Sequence, residues 1–179
     1  MLNIIVVGVG GQGVLTVAKS LARAAFRQGL DVKMAETHGL AQREGVIKCS
    51  LRIGKKVHTS ILKQGSADVI IALEPLEAMR ASNYASDKTI FVVNSHPIIP
   101  PSVTLKLAKY PKIELPGEVH MVDASRIVTD KLDSIYPLNM FMLGMASKYL
   151  PIEEEHLLAS IKEISNFEVN KKAFELGKE

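Results

Sequence analysis

Apolar residues follow strand-like and helix-like spacings in turn along this chain. The segment Leu2 to Val7 is apolar almost throughout, as in a strand buried on both faces of a sheet. Apolar residues then recur every three or four positions until Gly29, which predicts a helix. Two further strands are expected at Asp31 to Glu36 and Val46 to Ile53. The chain therefore opens with a strand, a helix and more strands.

The same patterns continue through the rest of the sequence. Later strands are expected at Lys56 to Leu62 after a hairpin turn at Gly54-Lys55, at Asp68 to Leu73, at Thr89 to Asn94 and at Glu118 to Val122. Helices are expected from Pro75 to near Tyr84, after Asp123, over Leu138 to Tyr149, over Glu153 to Ile164 and near Val169 to Leu176. Prolines between His96 and Gly117 predict an irregular excursion, with a short strand around Val103 to Leu107.

These elements predict an α/β fold. We expect a Rossmann-like, three-layer α/β/α arrangement with a mainly parallel mixed sheet and a helical C-terminal part over about residues 123–179. A chain of 179 residues with 47% hydrophobic content fits one domain over residues 1–179. The helix at Leu138 to Tyr149 is apolar almost all round, so it needs cover from the core or from a partner.

The net charge and the hydropathy pattern argue against two classes of partner, nucleic acids and membranes. The net charge is +3 without a dense Lys/Arg block, so a nucleic-acid partner is not expected. No apolar stretch approaches the roughly 20 residues of a membrane span, so no membrane partner is expected. Met1 leads straight into the first strand without a basic leader, which predicts a cytoplasmic protein.

The cysteine and histidine residues of this chain do not predict a metal site or a disulfide. Cys49 is the only cysteine and lies in a predicted strand, so it cannot form an intramolecular disulfide or a four-cysteine iron–sulfur site. A buried core role is expected for it. The histidines at positions 58, 96, 120 and 156 show no metal-ligand spacing, so no metal site is expected.

A glycine-rich turn follows the first strand. Gly8, Gly10, Gly11, Gln12 and Gly13 form a G-x-G-G-Q-G segment at the start of the predicted helix. Such a turn directs free amide groups and the positive end of the helix dipole outward, where phosphate or carboxylate binds. The glycines also make a close strand-to-helix turn when no nucleotide is present, and both interpretations stay open.

A second polar loop follows the second predicted strand. Glu36 ends that strand, where a ribose-binding acid would lie in a dinucleotide site. His38, Gly39, Gln42 and Arg43 come next, and the carboxyl ends of parallel strands lie at one edge of a sheet. The loop residues suit an anion or the acidic surface of a partner, or form a capped, solvated loop. Glu74 and Asp123 also follow strands, and helix capping explains them equally well.

Several motifs resemble those of one enzyme family. Residues 8–13 (G-V-G-G-Q-G) and 38–43 (H-G-L-A-Q-R) resemble the small (beta) subunit of indolepyruvate:ferredoxin oxidoreductase and the gamma subunits of pyruvate and 2-oxoacid:ferredoxin oxidoreductases. Asn139 to Gly144 resembles the N-x-x-x-L-G helix of that family, and Asn170 to Gly177 resembles its N-x-x-A-F-x-x-G ending. Relatives of the indolepyruvate branch usually carry glycine where this chain has Glu44.

The resemblance implies an accessory subunit without catalytic residues of its own. A large (alpha) partner subunit would carry thiamine diphosphate, Mg²⁺ and [4Fe-4S] clusters, would use CoA as co-substrate and would reduce ferredoxin. This chain shows no thiamine-type G-D-G signature, so no cofactor is expected on it and the isolated chain is expected to be inactive. A homodimer is possible when it is isolated.

The glycine turn and the His38 loop are expected to form one wall of a cleft shared with the large subunit. Two alternatives stay open. One is a free-standing NAD- or FAD-binding protein with pyrophosphate at Gly8 to Gly13 and ribose at Glu36. The other is a purely structural assembly subunit, in which the loop residues tolerate change.

Overall fold

The fold is described by a computed structural model that covers residues 1–38 and 45–179, with the backbone alone at residue 38. Its strands are β1 (Leu2–Val9), β2 (Asp31–His38), β3 (Val46–Gly54), β4 (Val69–Ala72), β5 (Ile90–Asn94) and β6 (Glu118–Val122). Its helices are α1 (Val14–Arg27), α2 (Pro75–Arg80), α3 (Pro101–Thr104), α4 (Ala124–Leu132), α5 (Leu138–Ser147), α6 (Glu154–Ile161) and α7 (Phe167–Lys178), with a 3₁₀ turn at Ser82–Tyr84. The predicted α/β class is confirmed.

The strands form a six-stranded sheet in the order β2-β3-β1-β4-β5-β6. Three parallel pairings join β1 to β4, β4 to β5 and β5 to β6. β3 runs antiparallel to both of its neighbours, β1 and β2. All strands except β3 therefore point the same way, which is the mainly parallel mixed sheet that the sequence predicts.

Side chains that alternate along β1 serve two cores. Ile4 and Val6 belong to the larger core, which includes buried residues of α1, α4, α5, α6 and α7. Ile5 and Val7 belong to a smaller core with Ala78 of α2. The face of the sheet that carries Ile5 and Val7 is thus covered by less helix than the opposite face. That face of β3 carries polar, half-buried side chains such as Lys48 and Arg52.

The C-terminal part is helical, and α5 is its buried centre. Most of its side chains are buried, as the apolar sequence of this segment predicts. α5 and α7 cross closely at Gly144 and Gly177. A Cβ at Gly144 would overlap the carbonyl oxygen of Phe174 and lie 2.9 Å from its carbonyl carbon. Within the described ranges, no helix combines the length and apolar character that crossing a bilayer requires.

The expected hairpin at Gly54-Lys55 with a strand at Lys56 to Leu62 is wrong. β2 pairs with β3 along its whole length, from Asp31↔Gly54 to His38↔Ile47, while β1 occupies the other side of β3. β3 therefore has no free edge for a hairpin partner. The segment runs irregularly instead, and its Val57 N–H donates to Asp31 Oδ2 at 2.8 Å.

The short strand expected around Val103 to Leu107 is also wrong, because a short helix, α3, lies there. Pro100 is its N-cap and Pro101 its first residue. Proline suits a first helical turn, where its missing N–H costs no hydrogen bond and its fixed φ favours the helix. The proline geometry thus decides the local structure of this segment.

The close crossing of α5 and α7 predicts a large effect of Gly144→Ala. The added methyl group must move the Phe174 backbone, so the free energy of unfolding should fall by about 3 kcal/mol. Gly54→Ala is a matched control, since the atom nearest to its Cβ would be Met1 Cα at 3.6 Å, and it should change stability by less than about 1 kcal/mol. Urea denaturation of both variants measures the difference, and equal midpoints would contradict the tight crossing.

Candidate functional site

The glycine turn and the two described ends of the second polar loop lie at one edge of the sheet. β1 and β2 run in the same direction, because each is antiparallel to β3 between them. Their carboxyl ends therefore share an edge. Gly10 N–H donates to the carbonyl oxygen of Gly45, at the end of the second loop, at 3.0 Å. We call residues 8–13 the glycine loop and this side of the sheet the glycine-loop edge.

The glycines of this loop differ in their packing. A Cβ at Gly8 would lie 2.9 Å from Val14 Cγ2, and one at Gly13 would lie 3.0 Å from Asn139 Cγ of α5. Gly11 has φ +92° and would meet nothing within 4 Å. Gly8 and Gly13 are thus required by close packing, whereas Gly11 is exposed at the edge.

The side-chain amide of Gln12 makes two internal hydrogen bonds. Its Oε1 accepts from Val9 N–H at 2.8 Å, and its Nε2 donates to the Leu73 carbonyl oxygen at 2.9 Å. Leu73 directly follows β4, so the side chain joins the ends of two neighbouring strands. Gln12 also lines a cavity at this edge, so its contact with a ligand or partner stays a prediction beside this bridging role.

The start of α1 carries amide groups that suit an anion. Gly13 is the N-cap of this 14-residue helix, with φ 85° and no side-chain capping bond. The N–H groups of Gly11, Gly13 and Val14 have no acceptor among residues 1–38 and 45–179. Free amides at the positive end of a helix dipole attract phosphate or carboxylate.

Glu36 does not occupy the position that dinucleotide binding requires. It pairs with Cys49 of β3, which in turn pairs with Val6 of β1. A ribose-binding acid lies on the strand next to the glycine-rich one. Here β3 separates the two strands, so a nucleotide held at the glycine loop would be one strand too far away. Glu36 itself is exposed.

The remaining predicted loop residues belong largely to the part of the chain that is not described. Gly39, Gln42 and Arg43 lie outside the described residues, as does the side chain of His38. The backbone of His38 pairs with Ile47 at the end of β2. Their proposed roles in ligand or partner contact remain predictions.

Asn94, the last residue of β5, is a structural residue at this edge that the sequence analysis does not single out. Asn94 is buried, donates to the Leu73 carbonyl oxygen and to Ser125 Oγ, both at 3.0 Å, and accepts from Ser125 N–H at 3.3 Å. The signal is an asparagine at the last position of an otherwise apolar strand. Together with Gln12, it fixes the loops on either side of the glycine-loop edge.

A cavity of about 320 Å³ lies at this edge. Its lining includes Gly11, His96 and Tyr136. Tyr136 is 89% exposed, so it offers a large apolar surface with a hydroxyl group. The edge thus combines an amide cluster with an aromatic ring, which suits a ligand or a partner surface of mixed polarity.

The two strand-end acids of uncertain role are helix caps. Glu74 Oε2 accepts from Glu77 N–H at 2.9 Å, and Asp123 Oδ1 accepts from Arg126 N–H at 3.0 Å. Glu74 is almost completely buried, and its Oε1 also accepts from Tyr110 OH at 2.9 Å. Burial of the ring, together with this bond, raises the pKa of Tyr110.

Cys49 is buried in the larger core, as expected. Burial raises the pKa of its thiol to about 11, so it is protonated at neutral pH and unsuited to metal ligation. Glu153, Glu155 and His156 do bring ligand atoms within 4.8 Å of one another at the surface, a grouping that sequence spacing did not indicate. Exposed acidic groups of this kind are common without an ion.

Comparisons with known proteins agree over almost the whole chain. The profile of the family described as pyruvate ferredoxin/flavodoxin oxidoreductase matches residues 3–179. Indolepyruvate oxidoreductase subunit IorB of Archaeoglobus fulgidus is 42% identical, with 98% of this chain and 93% of that protein covered. The pyruvate/ketoisovalerate oxidoreductases common subunit gamma of Pyrococcus furiosus is 30% identical, with 92% and 87% covered.

The fold also recurs in solved structures. The gamma subunit of keto/oxoacid ferredoxin oxidoreductase from Geobacter sulfurreducens aligns with a TM-score of 0.73 at 18% identity, covering 99% of this chain and 96% of that one. The 2-oxoglutarate:ferredoxin oxidoreductase from Magnetococcus marinus aligns with a TM-score of 0.76 at 23% identity, covering 99% of this chain and 30% of that one.

The Gln12 bridge predicts that two substitutions differ in effect. Gln12→Glu keeps the acceptor for Val9 N–H but places a carboxylate oxygen against the Leu73 carbonyl oxygen, so it should lower the free energy of unfolding by about 1–3 kcal/mol at neutral pH. Protonation at acid pH restores a donor, so the loss should shrink there. Gln12→Met, which lacks both bonds at every pH, is the control. Parallel pH dependence of the two variants in denaturant titrations would argue against the bridge.

Proposed function

This chain belongs to the pyruvate ferredoxin/flavodoxin oxidoreductase family, and we propose that it is the small subunit of an indolepyruvate:ferredoxin oxidoreductase. The observation that carries this assignment is 42% identity to an IorB subunit over nearly the whole of both chains. The gamma subunit of Pyrococcus furiosus is less similar, at 30% identity. We assign residues 1–179 to one domain of the gamma type, acting in the cytoplasm.

The proposed reaction converts an aryl 2-oxoacid and CoA into CO₂ and an aryl acyl-CoA, with two electrons passed to ferredoxin. Thiamine diphosphate with Mg²⁺ supplies carbanion stabilisation in such chemistry and iron–sulfur clusters carry the electrons. The residues of this chain do not fit a cluster, because its only cysteine is buried and protonated. We therefore place these cofactors on a large partner subunit.

The proposed contribution of this chain is one wall of a cleft shared with that subunit. The free amides of Gly11, Gly13 and Val14 face an anionic group, either the carboxylate of the oxoacid or a phosphate of CoA. Tyr136 and the loop that contains His38 and Arg43 complete the contact surface. This arrangement binds and orients anions, and it needs no catalytic residue on this chain.

Two other functions have less support. In a free NAD- or FAD-binding protein, the ribose acid would lie on the strand beside the glycine-rich strand, and β3 separates Glu36 from that position. A purely structural subunit has no need of free amides at Gly11 and Gly13. Substitutions at the exposed Gly11 distinguish that possibility from the cleft proposal.

Co-expression tests the assignment. A tag on this chain should recover the large thiamine subunit encoded nearest to it when the pair is purified anaerobically. We expect CoA-dependent viologen or ferredoxin reduction with indolepyruvate and phenylpyruvate to exceed that with pyruvate or 2-oxoglutarate by at least about tenfold in kcat/KM, which corresponds to roughly 1.4 kcal/mol. The isolated chain should show no turnover. Recovery of an active complex with the opposite preference would overturn the indolepyruvate assignment.

A pair of isosteric substitutions tests the cleft proposal within this complex. Gly11→Asp adds a carboxylate beside the free amides, whereas Gly11→Asn adds the same shape without charge, and both residue types tolerate positive φ. Neither should prevent assembly, since nothing lies within 4 Å of the added Cβ. The Asp variant should lose about tenfold or more in kcat/KM relative to the Asn variant, because of charge repulsion.

Steady-state kinetics of the two purified complexes measure this ratio. The Asn variant controls for the added side chain and for the glycine conformation. Equal kinetic constants for the two variants, with assembly intact, would contradict an anion site at Gly11 and would favour the structural alternative.

A further inference from the structure

A cavity of about 440 Å³ lies between the first turn of α1 and the helices of the C-terminal part. It is separate from the cavity at the glycine-loop edge, although Tyr136 lines both. Its polar lining consists of hydroxyl and amide groups, such as those of Thr16, Ser134 and Asn139. Within the described ranges, no charged side chain lines it. The cavity therefore suits a ligand that makes several hydrogen bonds.

Three helices begin at this cavity. Its lining includes Thr16 in the first turn of α1, Asn139 in the first turn of α5 and Val169 in the first turn of α7. The N-cap residue of each helix makes no side-chain capping bond. In α7, the N–H groups of Phe167, Glu168 and Val169 have no acceptor in the part of the chain that the structure describes. Uncapped helix starts attract negative charge.

The side-chain amide of Asn139 is a second, independent sign of a ligand. Asn139 is 9% exposed, and its Oδ1 accepts from Met140 N–H at 2.9 Å. Its Nδ2 has no acceptor among residues 1–38 and 45–179. A buried amide donor is normally paired. Because Asn139 lines the cavity, a ligand held there can supply the missing acceptor.

The charges around the cavity favour an anionic acceptor. Charged residues that adjoin lining residues in sequence lie outside the lining themselves, and they are of both signs: Lys131, Asp133, Glu163, Glu168 and Lys171. The negative end of α4 meets the cavity at Leu132, opposite the positive ends of three helices. A cation would find no carboxylate in the described lining. An oxyanion accepts hydrogen bonds and gains from the helix starts as well.

We propose that this cavity binds a small oxyanion, a phosphate or carboxylate group, which accepts from Asn139 Nδ2 and lies at the uncapped start of α7. The hydroxyl groups of Thr16 and Ser134 are further donors in the lining. The site uses none of the amides of Gly11, Gly13 and Val14. Binding here and anion binding at the glycine loop are therefore separate measurements, and either can fail alone.

Amide NMR of the full-length chain tests this site with matched probes at constant ionic strength. Acetate and acetamide have nearly the same shape, but only acetate carries a charge. Inorganic phosphate and acetate should each shift the side-chain NH₂ signal of Asn139 and the backbone amide signals of Phe167 and Val169. The dissociation constant of acetate should be at least about tenfold lower than that of acetamide, because the helix starts favour the charge. This comparison does not depend on whether a variant folds.

Asn139→Asp and Asn83→Asp supply the matched variants. The first keeps the acceptor for Met140 N–H, and an acid in the first turn suits the helix dipole, so the fold should be retained. Its second carboxylate oxygen replaces the Nδ2 donor and repels an oxyanion, so the phosphate-induced shifts at Phe167 and Val169 should be lost. The second makes the same chemical change at an exposed asparagine and should leave those shifts intact. Thermal unfolding without phosphate checks both folds.

The kind of oxyanion is resolved by the two charged probes. Tighter binding of phosphate assigns a phosphate group, and tighter binding of acetate assigns a carboxylate. Equal affinities for acetate and acetamide, an unchanged phosphate response in folded Asn139→Asp, or no shifts with either anion would each overturn the proposal. Shifts confined to Gly11, Gly13 and Val14 would also overturn it, while leaving the anion site of the proposed function in place.

Discussion

The hydrogen-bonded turn between β1 and α1 is the constraint on which the rest of the glycine-loop edge depends. Gln12 binds the end of β1 and the residue that follows β4 at the same time. Gly8 and Gly13 permit this turn because the neighbouring side chains of Val14 and Asn139 occupy the space of a Cβ. The start of α1 is thereby fixed against the centre of the sheet. Gly11, with open space around it, is left to face outward.

The glycine loop contains both residues that hold the fold together and residues that remain available for binding. Four glycines and a glutamine look alike as candidate ligands in a sequence, yet most of them are engaged in packing or internal hydrogen bonds. The amides of Gly11, Gly13 and Val14 have no acceptor in the described parts of the chain and so remain open to a ligand. In the function proposed above, these amides complete a site that is shared with a partner subunit.

Apolar spacing and helix-capping residues predict much of the fold, whereas the order of the strands in the sheet depends on tertiary pairing. The apolar run of β1, the helical spacing of α1 and the capping acids Glu74 and Asp123 act over a few residues, so sequence reveals them. The position of β3 between β1 and β2 depends on tertiary pairing, which periodicity does not encode. That single insertion removed the hairpin expected at Lys56 to Leu62 and displaced Glu36 from a dinucleotide site. The contacts of Gln12 with Leu73 and of Gly13 with Asn139 are likewise distant in sequence.

In the function proposed above, the glycine-loop edge faces a large partner subunit. Amide hydrogen exchange over residues 9–16, compared between the isolated chain and the anaerobically purified complex, tests it most directly. We predict that exchange of the free amides at Gly11, Gly13 and Val14 slows at least about tenfold in the complex, because the partner and its bound anion cover them. Unchanged exchange at this edge, with protection confined to another face, would contradict the account.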